Sequence, residues 1–244
     1  MGRGQRIRAL EGSHRYGVVL IAVIVPIAFS LAVPATRPWS RFLAILLFAI
    51  AIMVILSVAQ ARRRVQRAAL VLLVAVVATS LIDLILNSDP ALGVARAILG
   101  IMIALAPFTL ARGVIQHLRQ ERRVTLDAVF GAVAIYLLIG AFFASIDGAV
   151  GAIGEPAFFN QTDNPSFETY LYFSYVTLAT VGYGDYTPAT SIARALAITE
   201  ALTGQLYLVT VIAVLVSNIG RRPGGDGGRV INEEKGPDSP PRRR

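Results

Sequence analysis

Six long apolar runs, separated by short polar segments, dominate the pattern along the chain. They cover roughly Tyr16 to Val33, Phe42 to Ala59, Ala68 to Leu86, Ala91 to Ala111, Leu126 to Ser145 and Ile192 to Asn218. A helix that crosses a bilayer needs about 20 mostly apolar residues, and each run approaches or exceeds that length. The pattern predicts an all-α membrane protein with six transmembrane helices. Pro26 and Pro107 fall inside the first and fourth runs. Neighbouring helices in a bilayer can satisfy the carbonyl a proline frees, so kinks are expected there and not ends.

The arginines fall in alternate gaps. Arg3, Arg6, Arg8 and Arg15 precede the first run, Arg62, Arg63, Arg64 and Arg67 follow the second, Arg112, Arg119, Arg122 and Arg123 follow the fourth, and Arg221 and Arg222 follow the last. The other gaps hold Arg37 and Arg41, then Asp83 and Asp89, then Asp147, Glu155, Asp163 and Glu168. Basic residues concentrate on the cytoplasmic side, so both termini are expected in the cytoplasm. A cleaved signal peptide is the rival reading of the first run. The run is long, contains a proline and lacks a clean A-x-A end. The absence of cysteine and the compact loops suggest a prokaryotic plasma (inner) membrane.

Composition agrees with the pattern. Hydrophobic residues make up 55% and charged residues 16%, where a soluble domain carries about 25% charged. The net charge of +8 would suggest nucleic acid in a soluble protein; here its placement in short loops makes the lipid bilayer the expected partner. There is no cysteine, which excludes disulfides and thiolate sites. His14 and His117 lie in basic flanks and read as surface residues. No nucleotide motif, metal cluster or catalytic triad appears, so no enzyme activity, enzyme substrate or cofactor is expected. The stretch from Gly220 onward is rich in glycine, proline and charge and cannot bury a core. On this reading it is a disordered tail, with no ligand-binding or tetramer-clamping domain after the last helix.

Between the fifth and sixth runs the pattern breaks. A polar, glycine-containing stretch leads to Pro165, then "SFETYLYFSYVTLA" (Ser166 to Ala179) reads as a helix, with Asn164 as its cap, Pro165 in its first turn and Glu168 at its positive end. Some 14 residues make about 21 Å of helix, too short for a hydrocarbon core of about 30 Å. The segment is expected to dip in and return. Non-helical backbone at that depth survives only where protein buries it or water lines it, so the loop that follows should face a water-filled path.

That loop is "TVGYGD", Thr180 to Asp185. A helix C-terminus carries partial negative charge and favours a cation beside it. Thr180 offers a hydroxyl and a carbonyl, and Val181, Gly182 and Tyr183 offer carbonyls. Lining successive carbonyls on one side requires alternating backbone hand, and Gly182 and Gly184 adopt positive φ without steric cost. Val181 and Tyr183 should then pack behind the loop, and Asp185 should concentrate cations at its outer end.

"TLATVGYGD" (Thr177 to Asp185) resembles the filter signature of potassium channels. The resemblance covers about Leu126 to Asn218 and implies that the carbonyls of Thr180, Val181, Gly182 and Tyr183, with the Thr180 hydroxyl, replace the water shell of K⁺ as the permeant ion. Gly184 and the external Asp185 complete the motif. Four loops surround one path in that family, which implies a homotetramer. Many relatives have a tryptophan pair where Tyr172 and Phe173 stand. With Thr177 these are the expected supports of the filter, the Tyr172 hydroxyl being expected to reach Asp185. Ala179 replaces a threonine common in voltage-gated relatives.

Gly204 follows Gly182 by 22 residues, near the hinge glycine of the family's inner helix; close packing of small residues is the other reading. Val211, Val214 and Leu215 are placed to form an apolar constriction near the cytoplasmic end. Glu200 lies within the last run without an assigned partner. The six-run order resembles the voltage-gated architecture, but a sensor needs an arginine array on the fourth helix, and only Arg96 and Arg112 flank that run. Weak or no voltage dependence is expected, with Arg96 paired to Asp83.

The expected organisation is a basic cytoplasmic N-terminus (1–15), a four-helix module (16–111), a cytoplasmic linker (112–125), a two-helix pore module with re-entrant helix and filter loop (126–218), and the tail (219–244). The expected function is that of a potassium-selective channel subunit. The rivals are a non-selective cation channel, a potassium uptake transporter and a non-conducting regulatory or scaffold subunit.

Overall fold

Backbone amides and carbonyls find no partners in hydrocarbon, so an apolar run that enters a bilayer must satisfy them within itself, as helix. The computed structural model describes residues 15–34, 37–59, 63–86, 89–121, 126–153, 157–163 and 165–219. These form seven helices: α1 (Arg15–Ala32), α2 (Pro38–Val58), α3 (Arg63–Leu86), α4 (Asp89–Glu121), α5 (Leu126–Ile153), α6 (Phe167–Leu178) and α7 (Ser191–Ile219). All but α6 contain a stretch long and apolar enough to cross a membrane. The chain is an all-helical, multi-pass membrane protein. α1 and α4 run through Pro26 and Pro107 without ending.

Three boundaries differ from expectation, each for a local reason. α5 does not stop near Ser145 but continues to Ile153. Ala149 and Ala152 favour helix and Val150 packs on the core, so Asp147 lies inside the helix, fully buried. α4 passes Arg112 and continues to Glu121, through arginine, glutamine and leucine, all good helix formers. The basic stretch therefore begins as a continuation of the fourth span. α6 is capped by Ser166, whose carbonyl receives the amides of Thr169 and Tyr170 at 3.1 and 3.3 Å; Asn164, the expected cap, lies outside the described residues. At α7 the hydroxyl of Thr190 accepts the Ala193 amide at 3.1 Å, the usual side-chain cap of a helix start.

The helices pack in a consistent order. α1 contacts α2 and α5, α2 contacts α3 and α4, and α4 contacts α3 and α5. α6 lies against α5 and α7, with a smaller contact to α1. The core between α1, α2, α4 and α5 is built from Val19, Val23, Ile55, Ile103, Leu110 and Leu138, all buried. The first four helices thus sit on α5 of their own chain through α1 and α4.

Arg3, Arg6, Arg8, His14, Arg122, Arg123 and the tail from Gly220 lie outside the described residues, as do the side chains of Asp83, Arg96, His117 and Leu215.

The native chain contains no cysteine, so single introduced cysteines report topology cleanly. Three spans separate exposed Arg63 from exposed Asp163. In intact cells a membrane-impermeant maleimide should label only one of Arg63→Cys and Asp163→Cys, and permeabilisation should expose the other. Labelling of both from one side would remove a span.

Candidate functional site: the glycine loop and its supports

The site begins where α6 ends. The last carbonyls of a helix have no partner within it, and here each finds one. The amide of Ala179 bonds the Tyr175 carbonyl at 3.0 Å, that of Thr180 bonds Thr177 at 2.9 Å and that of Val181 bonds Val176 at 2.9 Å. The fourth, Leu178, accepts the hydroxyl of Tyr136 from α5 at 3.2 Å. The bonds from Val181 and Thr180 are the paired 6→1 and 5→2 contacts of a Schellman motif. That motif needs a left-handed residue after the cap, usually glycine. Thr180 takes this position, with φ 56°. A β-branched residue there is uncommon and strained, by roughly 1–3 kcal/mol.

Beyond the cap, every second residue keeps positive φ: Thr180 at 56°, Gly182 at 59° and Gly184 at 79°. Glycine was foreseeable at the last two positions and threonine at the first was not. Among the described residues, the carbonyls of Thr180, Val181, Gly182 and Tyr183 accept no hydrogen bond from the protein. Val181 and Tyr183 do not pack behind the loop within this chain, as the sequence reading expected; they are 51% and 70% exposed. Within this chain little covers them, since α6 packs on α5 and α7.

The outer end is held firmly. The Tyr172 hydroxyl donates to Asp185 Oδ2 at 2.8 Å, and the Tyr186 amide donates to Asp185 Oδ1 at 3.1 Å. The bond to Asp185 is the main reason the Tyr172 phenol is pushed up to about 12, with desolvation second, so it remains a donor at neutral pH. The following segment is latched to residues before α6. Thr187 takes the Asn160 amide on its carbonyl at 3.0 Å and donates its own amide to Gln161 Oε1 at 2.9 Å. Ala189 donates to the Phe158 carbonyl at 2.8 Å. Phe173 is buried beneath this latch, with ring centroids 5.0 Å from Phe159 and 6.2 Å from Phe158. Tyr186 closes the cluster, 5.5 Å from Phe159 and 6.2 Å from Tyr172. Thr177 contributes its carbonyl to the cap.

α7 meets the inner end. A Cβ on Gly204 would stand 2.5 Å from the Leu178 carbonyl oxygen, so glycine is required there for close approach of the two helices. Glu200, one turn earlier, is fully buried and hydrogen-bonded to Ser174 of α6. Tyr207 donates to the Ala132 carbonyl of α5 at 2.7 Å. Most of α7 is otherwise bare: only 11% of its spanning window is buried, and Ile198, Leu202, Leu206, Val209 and Ile212 are exposed. Among the described residues no group of three or more His, Cys, Asp or Glu side chains is placed to hold a metal ion.

A protein-family profile described as "Ion channel" matches residues 128–221, which takes in α5, α6, the loop and α7. "Two-pore potassium channel 4" of Arabidopsis thaliana is 39% identical over 61 residues, 25% of this chain and 22% of that protein. "Potassium channel, subfamily K, member 16" of Mus musculus is 32% identical over 81 residues, 30% of this chain and 28% of that protein. "Protein LctB" of Geobacillus stearothermophilus is 32% identical over 137 residues, which cover 52% of this chain and 98% of the relative. Residues 128–221 of the chain belong to the ion channel family, and part of the chain is similar to potassium channels. It spans about a quarter of the length of the two eukaryotic potassium channels it matches, 22% and 28%.

Sequence reasoning missed the latch, the Tyr136 cap and the partner of Glu200 in this ion channel relative. The paired phenylalanines of "AFFNQTDNP" were an available signal, since two large aromatics in a polar stretch need something to cover them. Ser174 gave no such signal, because a lone serine on a short helix has many uses.

Replacing Gly204 with alanine separates packing from hinging. Overlap with a backbone carbonyl should destabilise the purified protein by about 1–3 kcal/mol, seen as a lowered midpoint of thermal unfolding in detergent. An unchanged midpoint with altered opening would mean that Gly204 serves as a hinge and not as a packing site.

Proposed function

We propose that this chain is one subunit of a homotetrameric, potassium-selective channel whose ion path is lined by the carbonyls of Thr180, Val181, Gly182 and Tyr183 and by the Thr180 hydroxyl. The observation that carries this reading is the run of four carbonyls without protein partners on a loop of alternating backbone hand. Unpaired carbonyls are rare where water is excluded, and alternation turns successive peptide oxygens toward one side. They follow a helix end whose own carbonyls are all engaged, so the loop oxygens remain for an ion whose water they replace. Asp185, held by Tyr172 and Tyr186, puts negative charge at the external mouth, where it raises local cation concentration.

One loop gives one wall of such a path. Closed cyclic symmetry supplies the others, and the exposed Val181, Tyr183 and α7 hydrophobics are the surfaces that copies would cover. Four chains therefore complete both the path and the packing that a single chain leaves open. The alternating arginines support a reading with both termini in the cytoplasm, and the absence of cysteine with the compact loops supports a prokaryotic plasma membrane. The fourth span lacks an arginine array. A charge moved fully across 100 mV is worth about 2.3 kcal/mol, so Arg96 alone supports at most weak voltage dependence.

The test is cation flux into proteoliposomes that contain the purified chain, with voltage set by ionophore. K⁺ should enter in strong preference to Na⁺. Gly182→Ala should abolish the preference: its Cβ meets no atom within 4 Å in this chain, but φ 59° imposes a left-handed strain of about 1–2 kcal/mol on any side chain. Equal K⁺ and Na⁺ flux in the native protein would make it a non-selective cation channel, and no flux at any voltage would favour a non-conducting subunit.

Tyr172→Phe removes the brace on Asp185 and leaves the aromatic packing. Current during prolonged opening should then decay several-fold faster than in the native channel, and an unchanged decay would remove Tyr172 from the filter's support.

A further inference from the structure

Ser174 sits where three helices meet. Its side chain is fully buried, and its hydroxyl oxygen lies 2.6 Å from the Gly140 carbonyl of α5 and within hydrogen-bonding distance of Glu200 Oε1 from α7. One turn along, Leu178 repeats the arrangement: its carbonyl takes the Tyr136 hydroxyl of α5 and lies against Gly204 of α7. Ser174 and Leu178 are four residues apart, as are Glu200 and Gly204, so each pair shares one face of its helix. α6 is clamped between α5 and α7 at two levels, and the left-handed Thr180 follows the lower level by two residues.

The upper level has a hydrogen count that does not close by itself. A serine hydroxyl carries one proton, and here it faces two oxygens. With that proton on the Gly140 carbonyl, the Glu200 contact is made only by a proton on the carboxyl group. The other carboxyl oxygen, Oε2, is buried with no partner. An unpaired carboxylate in that position is far costlier to bury than a neutral acid. An acid within a membrane span is rare and marks function by default, and the loop chemistry assigns Glu200 no part.

We propose that Glu200, as a proton-bearing acid donating to Ser174, is a positioning residue for the glycine loop: it fastens α7 to α6 and so sets the height and tilt of the helix end from which the loop carbonyls project. This rests on the reading of the loop as the ion path. Glu200 touches no ion. Its effect passes through Ser174, down one turn of α6 to Leu178, and into the Thr180 cap. Glutamine at this position keeps a donor for Ser174 in nearly the same shape, whereas alanine leaves the hydroxyl of Ser174 with one partner and α6 with one tie fewer.

The full-length protein in proteoliposomes tests this through the K⁺ to Na⁺ flux ratio. A native protein without K⁺ preference overturns the channel reading itself. With native preference established, Glu200→Gln should keep the ratio within about twofold, whereas Glu200→Ala and Ser174→Ala should each lower it by about tenfold, the scale of one buried hydrogen bond. A native ratio in a tetrameric Glu200→Ala or Ser174→Ala protein overturns the proposal, as does a Glu200→Gln protein that behaves like the alanine variant. Should Glu200→Ala fail to assemble, Ser174→Ala decides alone. Infrared difference spectra of native and Glu200→Gln protein give a readout independent of conduction. The native protein should show a neutral carboxylic acid carbonyl stretch that the glutamine variant lacks, and a carboxylate signature in its place would overturn the proposal.

Discussion

The structure depends on how a helix stops inside a membrane-sized protein without leaving its carbonyls bare. α6 has 12 residues, too few to cross, and its C-terminal carbonyls need partners from outside the helix. Three are taken by amides of the chain just beyond and the fourth by Tyr136 of α5. Because the cap is a Schellman motif, the residue after it must be left-handed, and that sets the backbone hand at Thr180. Gly182 and Gly184 then continue the same hand at every second residue. The conformation of the loop is in this sense a continuation of the cap. Threonine in place of the usual glycine adds strain at this point.

Strain of this kind persists only where the surroundings over-determine it, and the loop is constrained at both ends. Outward, Asp185 has hydrogen bonds on both carboxyl oxygens, and the next residues are tied by Asn160, Gln161 and Phe158. Inward, α5 and α7 grip α6 at Ser174 and Leu178. Between these anchors the loop carries few contacts within the chain: a Cβ at Gly182 or Gly184 would meet nothing within 4 Å. The loop is thus held at its ends and uncovered in its middle.

Much of this was legible in the sequence. Length and polarity located the six spans, because a bilayer demands so long an apolar run that few other patterns imitate it. The short helix was legible for the opposite reason, being apolar yet too short to cross. The glycines of the loop announced positive φ. The contacts that span many residues were not legible. The bond from Tyr136 to Leu178 joins positions 42 apart and that from Ser174 to Glu200 joins positions 26 apart. Helical periodicity reports which face a residue occupies and says nothing about which helix stands opposite. Val181 and Tyr183 were misplaced for a related reason: backbone hand sets which way a side chain turns, and says nothing about whether residues of the same chain stand there to cover it.

The first four helices connect to the same supports. They reach α5 through α1 and α4, and α5 carries the Gly140 carbonyl and the Tyr136 hydroxyl that hold α6. A shift of α4 against α5 would therefore be felt at the end of α6 through buried contacts of the same chain. The fourth span carries no arginine array between Arg96 and Arg112. Packing of α1 and α4 against α5 is the physical link through which the first four helices touch the support of the loop. The buried contacts of α1 and α4 with α5 make these helices a brace on the element that holds α6.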